Sequence, residues 1–248
     1  MTVRRHTYVD FTKEKQVPLH AKTTMAIATA ANDQEDFFRI GNNYFELHQS
    51  TANTLLAANG FAPAATGWLV PCDQATEGIQ ITQGMVAGVA TPMKFVVGTD
   101  AFFIKVKAVV TTLANYASFA VGFRELGAYV TWDNAAEAIT SYDEKIIIKS
   151  VVTSGITSYT QSLATVDSSA TMTGTPIVTA TAFTWEVRVD SAGLCTAYVD
   201  GVADTIFNAA ALTITDTSVM IPHVGMCGNA TGASNVQLVT YECGLLNA

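Results

Sequence analysis

Residues Phe102 to Val110 place the strongest constraint on the fold. Phe102, Ile104, Val106, Ala108 and Val110 alternate with Phe103, Lys105, Lys107 and Val109. Successive side chains of a strand point to opposite faces, so this stretch predicts a strand with one wholly apolar face. The same period returns in Phe119, Val121 and Phe123, with Arg124 next, and in Trp185, Val187 and Val189 set between Glu186, Arg188 and Asp190. Lys145 and Lys149 enclose Ile146, Ile147 and Ile148. Cys195, Ala197 and Val199, then Val236, Leu238 and Thr240, add further strand signals. Clusters of Gly, Asn, Asp and Ser separate them. Many short strands with this punctuation predict an all-β chain, an antiparallel β-sandwich rather than an α/β fold.

These signals are dense from residue 77 onward, which sets a jelly-roll β-sandwich over 77–248. Residues 1–76 read as an N-terminal extended arm and docking region. Within it, residues 1–22 are polar and irregular. Phe37, Phe38, Ile40, Tyr44, Phe45 and Leu47 predict strand, turn and strand around Gly41-Asn42-Asn43. Gln49 to Ala58 predicts a short helix ended by Asn59-Gly60. Residues 61–77, with Pro63 and Pro71, read as a linker.

Nearly half of the 248 residues are apolar, enough for a sizeable core, but only 14% are charged. About a quarter is usual in a soluble domain. The deficit favours a surface covered by neighbours, and so a homo-oligomer or larger assembly; an ordinary β-protein with a neutral surface is the alternative. Charge is also unevenly spread. Arg4, Arg5, Lys13, Lys15 and Lys22 outweigh Asp10 and Glu14 near the start, whereas no Lys or Arg follows Arg188. The acidic body argues against a nucleic-acid groove. The basic arm is the expected partner-binding element, docking on an acidic neighbour or on another copy, with a solvated tail as the plainer reading. No apolar h-region follows the first basic residues, and no run reaches the roughly 18–20 apolar residues of a membrane helix. Cys72, Cys195, Cys227 and Cys243 lack CxxC spacing, so buried free thiols are expected, with a Cys227–Cys243 bridge as the alternative.

The most informative stretch is Trp185-Glu-Val-Arg-Val-Asp-Ser-Ala-Gly-Leu-Cys-Thr-Ala-Tyr-Val-Asp-Gly-Val202. Asp190-Ser191-Ala192-Gly193 supplies one turn and Asp200-Gly201 a hairpin signal. This pattern resembles the concanavalin-like jelly roll, above all its laminin-G-type modules, where a strand opening on Trp leads through a turn to a strand ending in Val-Asp-Gly. A broader set (Phe102 to Val106, Phe119 to Arg124, the Trp185 hairpin, and Met220-Ile221-Pro222 before a last strand) resembles tailed-phage virion proteins of the head-decoration or fibre type. That resemblance implies a virion protein assembled in the host cytoplasm. It would be a capsid decoration or cement subunit docking through residues 1–76 onto the major capsid protein or other virion proteins. The alternative it allows is a lectin-like module of a fibre or receptor-binding protein that binds a host-surface glycan.

Catalysis finds little support in the residues. Glycoside hydrolysis needs two carboxylates facing one another across a cleft. Glu186 and Asp190 share a strand face, but Arg188 lies between them, which predicts a solvent-facing ion-pair ladder. Asp143-Glu144 predicts a turn. His6, His20, His48 and His223 are scattered, His223 reading as a loop or interface residue. Asp190, Asp200, Asp204 and Asp216 are loop carboxylates of the sort that hold calcium, yet acidic turn residues need no metal. No Gly-x-Ser-x-Gly or phosphate loop is present. No catalytic residue, metal or cofactor is therefore expected. Trp68, Trp132 and Tyr159 are candidates for sugar stacking, and Trp185 for the core.

Overall fold

A computed structural model describes residues 6–12, 34–40, 43–50, 62–64, 66–72, 78–83, 93–111, 116–127, 144–151, 156–163, 166–171, 177–209, 212–214, 217–228 and 234–246. Eight strands form one antiparallel sheet: β1 (His6–Asp10), β4 (Ala62–Ala64), β5 (Gly67–Cys72), β8 (Phe102–Val110), β13 (Ala182–Val189), β14 (Cys195–Val199), β15 (Val202–Ala203) and β17 (Ser234–Leu245). Nine form the other: β2 (Gln34–Ile40), β3 (Asn43–Ser50), β6 (Gly78–Gln83), β7 (Phe95–Val96), β9 (Tyr116–Glu125), β10 (Glu144–Val151), β11 (Ile156–Leu163), β12 (Val166–Thr171) and β16 (Val219–Gly228). The helix α1 (Thr205–Ala209) follows β15. The spatial orders are β15-β14-β13-β8-β17-β5-β4, with β1 also on β17, and β12-β11-β10-β9-β16-β6-β3-β2, with β7 also on β16.

The core lies between the sheets and is built by the alternation read from the sequence. Phe102, Ile104, Val106, Ala108 and Val110 of β8 face inward, as do Phe183, Trp185, Val187 and Val189 of β13. Aromatic rings lock the two layers together. Phe119 of β9 meets Trp185 at 5.5 Å and Phe183 at 5.7 Å. Phe102 meets Phe123 edge-on at 4.8 Å, and Phe45 of β3 meets Tyr241 of β17 at 5.3 Å. Such pairs add roughly 0.5–1.5 kcal/mol each beyond the area they bury.

The two predicted turns are present. Asp200 and Gly201 carry φ of 50° and 81°, and Val199 pairs with Val202. Both central residues are therefore left-handed, as a two-residue turn matched to strand twist requires. Gly193 has φ 82°, and a Cβ there would lie 2.5 Å from the Ile214 carbonyl.

The division at residue 76 has no counterpart in the hydrogen bonding. β1, β4 and β5 belong to the eight-stranded sheet, and β2 and β3 to the nine-stranded one. Phe11 packs on Trp68 at 5.5 Å, and Gln83 of β6 donates to Thr7 of β1 across the core at 2.6 Å. Residues 61–77 are no simple linker, since they supply β4 and β5. Pro63 is accommodated because β4 is an edge strand, where a missing N–H costs no ladder bond. Gln49 and Ser50 end β3; the rest of the expected helix lies outside the described residues, as do Tyr129 to Trp132.

His223 is neither in a loop nor at a surface. It lies in β16 and is fully buried. Pro222 is tolerated beside it because β7 pairs with Val219 and Met220 while β6 pairs only from His223 on, leaving Pro222 in the gap on that flank. Glu144 opens β10 rather than a turn. Cys195, Cys227 and Cys243 are free and buried, so the Cys227–Cys243 bridge is not formed; the two residues lie on different sheets.

Candidate functional site

Each sheet has a face turned away from the core, and both faces carry polar residues. On the nine-stranded sheet, adjacent strands align Glu46, Thr82, His223, Gly122 and Ile147 in one row. His48, Gln80, Gly225, Ala120 and Lys149 form the next. Arg124 and Lys145 pair beside them. Arg124 Nη1 donates to the carbonyls of Glu125 at 3.0 Å and Gly127 at 3.1 Å. Burial, assisted by the Arg124 charge, holds His223 well below the usual histidine range, so its ring is neutral. Arg124, Lys145 and His223 expose no surface. This polar band is closed to a ligand.

The outward face of the eight-stranded sheet is open. Five strands contribute to it in the order β14, β13, β8, β17 and β1. Their register aligns Tyr198, Glu186, Lys105, Glu242 and Tyr8 in one row. The neighbouring row reads Thr184, Lys107, Thr240 and Asp10, and Asp200 extends it by accepting the Thr184 N–H at 2.7 Å. The row on the other side reads Thr196, Arg188, Phe103, Gly244 and His6. These residues point outward because their neighbours in sequence fill the core, the same alternation seen from its other side.

The charges of this face hold one another in place. Arg188 Nε donates to Glu186 at 2.5 Å, and Lys105 Nζ lies 4.0 Å from the other Glu186 oxygen. The Arg188 guanidinium sits 4.2 Å over the Tyr198 ring and reaches its hydroxyl at 3.5 Å. Burial pulls the Arg188 guanidinium down, but its hydrogen bond and charge pairing with Glu186 outweigh this and keep it above its ordinary value. At the far end His6 Nε2 meets Glu242 at 2.9 Å and its ring lies 6.1 Å from Phe103. An exposed pair such as His6–Glu242 stabilises a fold by only about 0–1 kcal/mol, whereas the Arg188–Glu186 pair is partly buried. Their consequence here is positional: Tyr198 and the carboxylates are fixed before any ligand arrives. Tyr8 is 55% exposed, presenting a ring to solvent at the other end of its row.

The predicted ladder on β13 is thus present between Glu186 and Arg188. Asp190 leaves it and accepts the N–H groups of Ala192 and Leu194 at 2.8 and 2.9 Å, closing its turn. Asp204 likewise accepts the Phe207 N–H at 2.8 Å, capping α1. With Asp200 on Thr184, three of the four loop carboxylates hold main chain; Asp216 lies outside the described residues. Arg4, Arg5, Lys13, Lys15 and Lys22, the expected docking residues, also lie outside them. Trp68 is wholly buried and is no stacking platform. The outward-facing tyrosines, Tyr8 exposed and Tyr198 half-buried, were legible only through strand parity: Tyr198 alternates with Ala197 and Val199, and Tyr8 with Thr7 and Val9.

No protein-family model matches the chain, and no curated protein matches it in sequence. Solved structures do match its fold. The carbohydrate recognition domain of Emp47p aligns over 97% of this chain and 97% of that one, with a TM-score of 0.53 and 9% identity. An alginate lyase from Pseudomonas aeruginosa aligns over 76% of this chain and 87% of the lyase, with a TM-score of 0.50 and 9% identity. The carbohydrate-binding module CBM66 from Bacillus subtilis aligns over 73% and 88%, with a TM-score of 0.44 and 9% identity. At these identities the likeness is one of fold: the chain is an antiparallel β-sandwich of the concanavalin-like jelly-roll type.

Proposed function

We propose that this chain is a non-catalytic carbohydrate-binding module that seats its glycan on the open face of the eight-stranded sheet. The observation that carries the reading is the outward row Tyr198–Glu186–Lys105–Glu242–Tyr8, in which Glu186 is buried under its partners Arg188 and Lys105 and the other four side chains reach solvent at least in part. Sugar rings offer apolar C–H faces to an aromatic ring and hydroxyl groups to carboxylates and ammonium groups. This row supplies both chemistries, on strands whose geometry is set by the core. The fold likeness to the Emp47p carbohydrate recognition domain supports the lectin-like reading. The carboxylates Glu186 and Glu242 flank a lysine, and Glu186 is clamped by Arg188, an arrangement suited to holding hydroxyl groups rather than transferring protons.

The test is a glycan array followed by calorimetry on the full chain. Binding is expected, with Tyr8→Ala weakening Kd by about fivefold to tenfold, the equivalent of roughly 1 kcal/mol for a lost aromatic contact. Absence of binding to neutral and acidic polysaccharides alike would discard the reading. So would binding left intact by Tyr8→Ala and Glu242→Gln together.

A further inference from the structure

The length and near-symmetry of the row bear on which part of a glycan it takes. We propose, building on the glycan-binding reading, that the site recognises an internal stretch of a linear, unbranched polysaccharide lying across the strands, and not a terminal sugar. Adjacent strands are about 4.8 Å apart, so the five strands from β14 to β1 separate the backbones beneath Tyr198 and Tyr8 by roughly 19 Å. One strand spacing nearly equals the advance of one pyranose unit in an extended chain. The row therefore matches a run of sugars nearly one for one.

In two of the three rows the order of residue types is the same from either end. The central row reads Tyr, Glu, Lys, Glu, Tyr, and its neighbour reads Asp200, Thr184, Lys107, Thr240, Asp10. The third row, Thr196, Arg188, Phe103, Gly244 and His6, lacks this order, so the repeat belongs to two of the three rows and it is their length that favours an internal stretch. The flanking strand beyond Tyr198 is β15, whose Val202 and Ala203 are exposed and raise no wall against a continuing chain. Recognition of a terminal sugar needs a closed pocket around its extra hydroxyl group; an open sheet face with a tyrosine at each end of its central row rewards length instead.

The experiment measures Kd of the full chain for cello-, manno- and alginate oligosaccharides from disaccharide to octasaccharide, each native and with its reducing end reduced by borohydride. For the class that binds, affinity is expected to rise tenfold or more from disaccharide to about the pentasaccharide and then level off. End reduction is expected to leave long oligomers unchanged. Tyr8→Ala and Tyr198→Ala should each weaken the long oligomers about fivefold while leaving the trisaccharide within twofold, because a short chain engages only one end. Tyr8 makes no core contact that its loss would disturb; circular dichroism checks that Tyr198→Ala is folded. A disaccharide binding as tightly as the pentasaccharide, or loss of binding on end reduction, overturns the internal-stretch proposal while leaving glycan binding intact. No binding by any polysaccharide or oligosaccharide overturns both.

Discussion

At the scale of single residues, His223 shows how burial becomes a property of the whole chain. Its ring is held neutral by desolvation, with the Arg124 charge adding to the effect, and Glu46 and Thr82 share its row while Lys145 pairs with Arg124 beyond it. An unfolded histidine takes up a proton below about pH 6.5. The native ring resists protonation to a much lower pH, so below about pH 6.5 the unfolded state binds more protons. Stability is complete above that pH and falls as pH drops, with a slope of up to about 1.4 kcal/mol per pH unit from this group. Melting followed between pH 7.5 and 5, above the range where ordinary carboxylates titrate, should show Tm falling on the acid side; His223→Gln should flatten that slope, even where it lowers Tm at neutral pH. An unchanged slope would place the pH dependence elsewhere. Gly201 makes a second case. No atom lies within 4 Å of a Cβ at that position, so Gly201→Ala tests the left-handed backbone alone. It should cost about 1–2 kcal/mol, or a few degrees in Tm.

At the scale of elements, what was legible in the sequence follows from how each strand meets its two neighbours. β8 and β13 lie within the sheet with one face on the core and one toward solvent, so their residues alternate cleanly and the hairpin from Trp185 to Val202 could be read nearly residue by residue. β9, β10 and β16 are buried on both faces, which blurs the alternation; His223 then reads as a loop or interface residue although it is enclosed, as Lys145 and Lys149 are. β1 is only five residues long and mixes His, Thr, Tyr, Val and Asp, so it merges with the polar segment around it and one end of the candidate site was invisible. β4 and β5 were hidden by Pro63, on the edge strand β4, and Pro71, which lies beyond the residues of β5 that pair with β4. This bears on how docking by Arg4, Arg5, Lys13, Lys15 and Lys22 should be tested. Deleting residues 1–22 removes β1, its Thr7–Gln83 bond and the Phe11–Trp68 contact together with the basic residues. The truncated chain should lose several degrees in Tm and also the Tyr8 end of the glycan row. Replacing the five basic residues by Gln should leave both intact, and is the variant to set against a virion surface.

At the scale of the whole molecule, the interlocking of early and late strands predicts one folding unit. β17, almost the last segment of the chain, is flanked on the same side by β1 and β5, and β3 lies beside β6 in the other sheet. If residues 1–76 were an independent region, the sandwich could open in two steps. With its strands inside both sheets, loss of either part exposes the shared core and the transition should be single. The cysteines report this directly. Cys195 and Cys243 face the core from the eight-stranded sheet, Cys227 belongs to the nine-stranded one, and all three are buried. Desolvation raises the Cys195 and Cys243 thiols far above their ordinary range, so neither offers a thiolate to a reagent in the native state. In a Cys72→Ser background, an aromatic disulfide reagent should therefore find no reactive thiol in buffer. All three should become reactive over one urea interval that coincides with the loss of tryptophan fluorescence, since Trp68 and Trp185 are buried in the same core. Thiols of one sheet appearing at lower urea than those of the other would show that the layers part before they unfold, and would return the first 76 residues to the status of a separate region.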